Sequence, residues 1–205
     1  MVFNGVVNAN GYSTSIIFEY GTSTSYGNTI TATTSPLSST SNKTVVSTSI
    51  TDLTVGTVYH VRMVVENVFG TFYSNDITFT NLYYGASYLG GLVVTFDNSG
   101  NGLVCASTDQ STSATWATAV STCYNLTLNS YSDWYLPSKY ELNLMYINLK
   151  AQGLGGFASA YYWSSIEYSS DFVWVQTFGN GNQHYFSKDC PLKVRAVRGF
   201  NNSTI

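Results

Sequence analysis

YYWSSIEYSSDFVWVQTFGNGNQHYFSKDCPLKVRAVRGF, residues 161–200, interleaves two kinds of sequence. One is a frame of large or structurally committed residues: Trp163, Glu167, Trp174, Gln176, Phe178, Asn180, Gly181, Gln183, Lys188, Lys193, Val194, Arg195, Val197 and Arg198. The other is an irregular filling of Tyr, Ser, Asp, Phe, His, Cys, Pro and Leu. A catalytic segment needs a few fixed polar groups, and a core strand needs regular alternation. A binding surface combines a rigid frame with varied side chains: Tyr and Phe supply stiff contact area, Ser and Asp adaptable hydrogen bonding. Asn180-Gly181 is a turn signal between two strands, with Thr177 and Gly179 on one side and His184 to Ser187 on the other.

Upstream of this stretch, strand and helix signals alternate from about Leu82. YLGGLVVTFDNSGNGLVCAS predicts a hairpin: Gly91 to Phe96, a turn at Asp97-Asn98-Ser99-Gly100, then Gly102 to Ala106. Ser113 to Asn125 reads as a helix with Ala114, Ala117, Val120 and Tyr124 on one face. Residues 132–137 read as a strand or loop stopped by Pro137. Ser138 then caps a second helix, with Glu141 at the capping-box position. That helix, 139–149, presents Leu142, Met145, Tyr146 and Leu149, and Gly153, Gly155 and Gly156 end it. Short strands follow. The expected class for residues 83–200 is α+β, two helices between sets of antiparallel strands.

Residues 1–80 read as all-β. Strands are expected at Ser15 to Tyr20, within NKTVVSTSITDL and TVYHVRMVVENVFG, and once more within TFYSNDITFTN. Tyr59, Val61, Met63 and Val65 alternate with His60, Arg62 and Val64, the pattern of a strand buried on one face.

A chain of 205 residues accommodates these two domains. Charged residues make up 9% of it and the net charge is −3. With eight Lys and Arg, no basic face suits nucleic acid. Lys193, Arg195 and Arg198 are expected to orient a C-terminal strand instead. No apolar run is long enough to span a bilayer, and Met1-Val2-Phe3 opens no visible signal peptide. The three cysteines form no CxxC pair, and His60 and His184 are far apart, so no metal site is expected. Cys105 and Cys123 leave two states open, one disulfide or two reduced buried thiols, and Cys190 is left over.

The N-terminal half resembles bacterial fibronectin type III domains at Phe18-Glu19-Tyr20-Gly21, Leu53, Gly56-Thr57, Tyr59, Arg62, Asn67 and Gly70. The resemblance implies an Ig-like sandwich that acts as a spacer, with Tyr59 in a tyrosine corner.

From about residue 83 to 200 the chain resembles the Lcl C-terminal-type domain. The matching residues, in chain order, are Gly90-Gly91-Leu92-Val93, Asp109-Gln110, Trp116, the run Tyr131 to Ser138, Glu141-Leu142-Asn143, Tyr162-Trp163-Ser164-Ser165, Trp174 and Val194 to Phe200. The resemblance implies a C-type-lectin-like fold related to formylglycine-generating enzymes. Calcium-dependent lectins carry Glu-Pro-Asn or Gln-Pro-Asp with a later Trp-Asn-Asp, and this chain has none of them. The paired C-terminal cysteines of formylglycine-generating enzymes are also missing, since only Cys190 lies there. The expectation is therefore no catalytic residue, no metal and no cofactor.

The last forty residues resemble the variable proteins of diversity-generating retroelements, in which adenine-directed mutagenesis varies codons around a constant frame. Mutated AAC or AAT codons do not yield Lys, Glu, Gln, Met or Trp. The positions assigned here to a variable, ligand-binding patch are Tyr168, Ser169, Ser170, Asp171, Phe172, Val173, Val175, Thr177, Gly179, His184, Tyr185, Phe186, Ser187, Asp189, Cys190, Pro191 and Leu192. None is an excluded type, and the excluded types fall between them, at Glu167, Trp174, Gln176, Gln183, Lys188 and Lys193.

Trp134, Trp163 and Trp174 are read as core anchors, Asp133 as a turn or cap residue, and His184 and Cys190 as contact residues rather than a thiol and its base. The expected protein is displayed outside the cell, on a cell or virus particle. It recognises an unknown protein or glycan on a cell surface through anchors such as Tyr168, Phe172, Tyr185 and Phe186, without membrane insertion. The rivals are a glycan-binding adhesin of fixed specificity and, further off, a formylglycine-generating-type enzyme.

Overall fold

The computed structural model describes residues 1–40, 42–97 and 100–201. It divides into two compact units, Met1–Asn81 and Leu82–Ile205. The N-terminal unit holds β1 (Val2–Val7), β2 (Ser15–Gly21), β3 (Asn28–Thr31), β4 (Thr44–Ser49), β5 (Val58–Asn67), β6 (Gly70–Tyr73) and β7 (Ile77–Thr80). β1 and β4 form one sheet. In the other, β3, β2, β5 and β6 run side by side, and β7 also pairs with β5.

β5 is long enough to take two partners. β6 pairs along Val64–Asn67 and β7 along Val58–Val61. The segment TFYSNDITFTN is thus two strands rather than the single one expected. β1 and β3 were not anticipated, because VFNGVV carries a central Gly and NTIT is too short for a periodic signal.

Both sheets contribute to one core, with Phe3 and Val7 from β1, Val46 from β4, and Ile16 and Phe18 from β2. Val61, Met63 and Val65 pack against it at half-burial, but Val64 on the opposite face is buried too, so β5 is not buried on one face alone as the alternation predicts. Tyr59 is buried, and its hydroxyl accepts a hydrogen bond from the Thr54 N–H at 3.1 Å. Tyr59→Phe keeps the ring and strands that N–H. The expected loss is about 1 kcal/mol from this unit alone, read by calorimetry as a shift of one transition only.

The C-terminal unit holds β8 (Ser87–Tyr88), β9 (Gly91–Phe96), β10 (Gly102–Cys105), β11 (Ser111–Ala114), α1 (Trp116–Tyr124) and α2 (Lys139–Asn148). After a 3₁₀ turn at Lys150–Gln152 come β12 (Tyr161–Glu167), β13 (Phe172–Thr177), β14 (Gln183–Ser187), β15 (Leu192–Val194) and β16 (Val197–Phe200). Four strands run in the order β16-β10-β9-β8, and five in the order β11-β15-β12-β13-β14. All pairings are antiparallel except β12 with β15, which is parallel. The expected hairpin is β9–β10; Asn98 and Ser99 of its turn lie outside the described residues.

α2 begins as its sequence predicts. The Ser138 side chain accepts from the Glu141 N–H, and Glu141 accepts from the Ser138 N–H. Leu142, Met145 and Leu149 are fully buried among Val94, Phe157, Tyr162, Phe178 and Val197, and Tyr146 packs against them.

α1 departs from its expected face. Ala119 and Cys123 are buried, whereas Ala117, Val120 and Tyr124 are exposed. Ser113 and Ala114 belong to β11, so the helix starts later than 113. The inward pair is small, and the larger Val120 and Tyr124 misled the apolar pattern.

Candidate functional site

β13 and β14 are joined by the expected turn. Gly181 has φ of 82°, and the Thr177 N–H donates to Asn182 O at 2.9 Å. A Cβ on Gly181 would run into the Tyr146 ring, so the turn also requires Gly for space. Cross-strand pairs place Phe172 opposite Ser187, Trp174 opposite Tyr185 and Gln176 opposite Gln183 on one face. Val173 opposite Phe186 and Val175 opposite His184 lie on the other.

The first face carries an aromatic cluster. The Tyr168 and Tyr185 rings are stacked at 4.2 Å with 3° between their planes. The Trp174 ring stands edge-on to Tyr168, and Phe172 edge-on to Tyr185. Tyr168, Phe172 and Tyr185 remain 52%, 39% and 50% exposed. Tyr168 sits on the loop before β13, held where its N–H and that of Ser169 both donate to Phe172 O. Lys139, at the start of α2, places its ammonium 4.1 Å from the Trp174 ring centroid.

The frame beneath is polar and fully bonded. Gln183 donates to Lys139 O and to Gln176 Oε1, while buried Gln176 donates to Asn143 Oδ1 and Gly181 O. Glu167 and Lys188 pair at 2.7 Å, and the Lys188 ammonium lies over the Trp116 ring.

The assigned patch residues separate into three groups. Tyr168, Ser169, Ser170, Asp171, Phe172, Gly179, His184, Tyr185, Asp189 and Pro191 are exposed. Thr177, Phe186, Ser187, Cys190 and Leu192 are half-buried. Val173 and Val175 are fully buried and cannot meet a ligand; strand alternation turns them inward beside Trp163.

The four proposed anchors also do not form one surface. Phe186 lies on the opposite face of the hairpin, with its ring 4.7 Å from Tyr161 and with His184 also beside Tyr161. Trp174 is half-buried in the aromatic cluster rather than a core anchor. Lys139 and Tyr161 adjoin the two clusters without having been singled out. Lys139 reaches the cluster only through packing of α2 on the sheet, which no local pattern announces. Tyr161 has the simpler signal of being the first aromatic residue of its strand.

The C-terminal cations are engaged inside the unit. Arg195 is buried, donates to Asp109 at 2.8 Å and to Ala106 O and Gly155 O, and lies over the Phe157 ring. Lys193 also pairs with Asp109. Arg198 grips Asp133 through two bonds at 2.6 and 3.0 Å, with Tyr131 against its guanidinium. These bonds hold the Asp133 carboxyl below the usual carboxylate range. Asp133 is thus an ion-pair residue rather than the turn or cap residue expected, and the two arginines orient strands as expected.

The family model of the Lcl C-terminal domain matches residues 95–198, more than half of the chain. The chain belongs to the Lcl C-terminal domain family. No curated protein matches it.

Within the Lcl C-terminal domain, Trp134 and Trp163 are buried, and each indole N–H is bonded, to Tyr131 O and Ala114 O respectively. Glu141 is occupied by the helix cap and by the Tyr135 hydroxyl. Burial, then Glu141, pushes that phenol upward. All three cysteines are free thiols. Burial pushes Cys105 and Cys123 up to about 12. A thiol reagent added to native protein near pH 8 is expected to modify Cys190 alone, with the other two reacting only after denaturant is added. The raised values favour the folded state below the ordinary thiol range of 9.0, and that contribution is lost as pH climbs towards about 12.

Among the described residues, no three of His, Cys, Asp and Glu are grouped to hold a metal, and no helix is long and apolar enough to cross a membrane.

Proposed function

We propose that this chain is a surface-displayed binding protein. A fibronectin type III-like, Ig-like unit carries a C-type-lectin-like Lcl C-terminal domain. Exposed residues of 168–191 recognise a macromolecule, and a diversity-generating retroelement varies them. One observation carries the reading. The residue types that adenine mutagenesis cannot produce, Glu167, Trp174, Gln176, Gln183, Lys188 and Lys193, all make frame contacts, whereas most of the residues between them are exposed.

Binding rather than turnover is further supported by where four carboxylates of this unit are held. Asp109, Asp133, Glu141 and Glu167 each serve a structural ion pair or cap. Display outside a cell, on a cell or particle, follows from the reading rather than from any feature of the fold.

The test is the DNA beside the gene. The expected result is a reverse-transcriptase frame and a near-copy of the 161–200 coding segment. Its codons should be AAC or AAT at exposed positions such as 168, 172, 184 and 185. At buried Val173 and Val175 it should already encode Val. Neighbouring DNA without such a copy would reject the variable-protein reading and favour a glycan-binding adhesin of fixed specificity, which would use the same rings.

A further inference from the structure

We infer that the open edge of β14 is a docking strand, with which the ligand pairs an extended polypeptide segment as a sixth strand of the sheet. The inference rests on reading 168–191 as a recognition surface and names the ligand class, a protein or peptide.

The sheet order leaves β14 outermost, with β13 as its neighbour. The phase of the ladder is set at both ends. The Lys188 N–H donates to Asp171 O at 3.0 Å, and the Thr177 N–H to Asn182 O at 2.9 Å. Bonded pairs alternate along an antiparallel ladder. Residues 182, 184, 186 and 188 therefore turn their backbone groups towards β13, and Gln183, Tyr185 and Ser187 turn theirs outward. The Ser187 carbonyl accepts from the Cys190 N–H. Among the described residues, no strand lies beyond the outward groups of Gln183 and Tyr185 and the Ser187 N–H.

Natural sheets blunt such an edge with Lys, Pro or a bulge. Residues 183–187, QHYFS, contain neither Lys nor Pro and pair with β13 in unbroken register.

The side chains flank this edge on both faces. Tyr185, Tyr168 and Phe172 stand on one, and Phe186, His184 and Tyr161 on the other. Successive side chains of an added strand also point to opposite faces, so they would meet the two clusters in turn. Backbone donors and acceptors that repeat every second residue match another extended chain, and a sugar carries no such repeat. Main-chain bonds would then supply affinity common to many ligands, and the varied side chains would supply discrimination.

The experiment selects linear peptides from a phage-displayed random library against the full chain. It then measures binding of the enriched synthetic peptides by calorimetry. N-methylation at successive peptide positions is expected to weaken binding about tenfold or more at every second residue. Amide exchange at Tyr185 and Ser187 should slow about tenfold when peptide is bound. Tyr185→Pro removes an outward N–H, a change that an edge strand tolerates, and should weaken binding more than Tyr185→Ala does.

If Tyr185→Pro does not fold, the N-methyl scan still decides, because it leaves the protein untouched. Binding that needs the Tyr185 ring but shows no two-residue period and no amide protection overturns strand pairing and leaves the recognition surface standing. Failure to enrich any peptide overturns it too. So does a concentration-dependent dimer that protects the Tyr185 amide without peptide, because a second copy would then fill the edge.

Discussion

Trp163→Ala is expected to lower the stability of the C-terminal unit by about 3–5 kcal/mol. The side chain is fully buried, lies opposite Val175 on β13, and donates its indole N–H to Ala114 O at 2.7 Å. Truncation therefore opens a large cavity and also strands a carbonyl of β11. All four tryptophans of the chain lie beyond residue 82, so tryptophan fluorescence in a urea titration reports this unit alone. Trp174→Ala makes the contrast. That ring is half-buried against Tyr168, Tyr185 and Lys139, and its loss should cost only about 1–2 kcal/mol. Equal shifts of the two urea midpoints would mean that the surface cluster holds the domain together as strongly as the core does.

Asp109→Ala is expected to cost a similar amount, about 3–5 kcal/mol, for an electrostatic reason. Asp109 accepts from Arg195 and Lys193 and from the Tyr162 hydroxyl. Arg195 is 1% exposed, so removing the carboxylate leaves a buried guanidinium with carbonyl partners and no counter-charge. Burial, followed by Asp109, also pushes the Tyr162 phenol up to about 12, so that hydroxyl remains a donor. Adding Arg195→Met to Asp109→Ala should recover part of the loss, because an apolar side chain of similar length needs no partner there. A double variant no more stable than Asp109→Ala would show that the carbonyl bonds of Arg195, rather than its charge, hold the loops together.

Stacked exposed rings also stabilise one another. Replacing Tyr168, Phe172 and Tyr185 together with Ala removes ring pairs worth about 0.5–1.5 kcal/mol each. Recognition side chains at this site are thus not free of the fold, although they lie outside its core.

Some elements were legible in residue order alone. Ser138 and Glu141 sit three apart before an apolar row, and that spacing forms a capping box whatever surrounds it. The hairpin between Gly91 and Cys105 and the turn at Asn180-Gly181 are likewise local. Each rests on bonds or steric limits among residues a few positions apart.

The rest required distant partners. Val173 and Val175 share a strand with Phe172 and Trp174 and are of types allowed at varied positions, so composition could not separate them. They are fully buried on the face where Trp163 of β12 lies opposite Val175 and Phe186 of β14 opposite Val173. α1 buries Ala119 and Cys123, the face it turns towards β11 and β12, and the apolar row of the helix does not mark that face. Asp109 meets Arg195 across 86 positions, and Lys139 meets Trp174 across a helix–sheet contact. The α2 cap and the β13–β14 turn follow from short-range spacing, whereas β1, β3 and the split into β6 and β7 do not. The face each residue presents, and hence which aromatic rings can meet a ligand, follows from long-range packing.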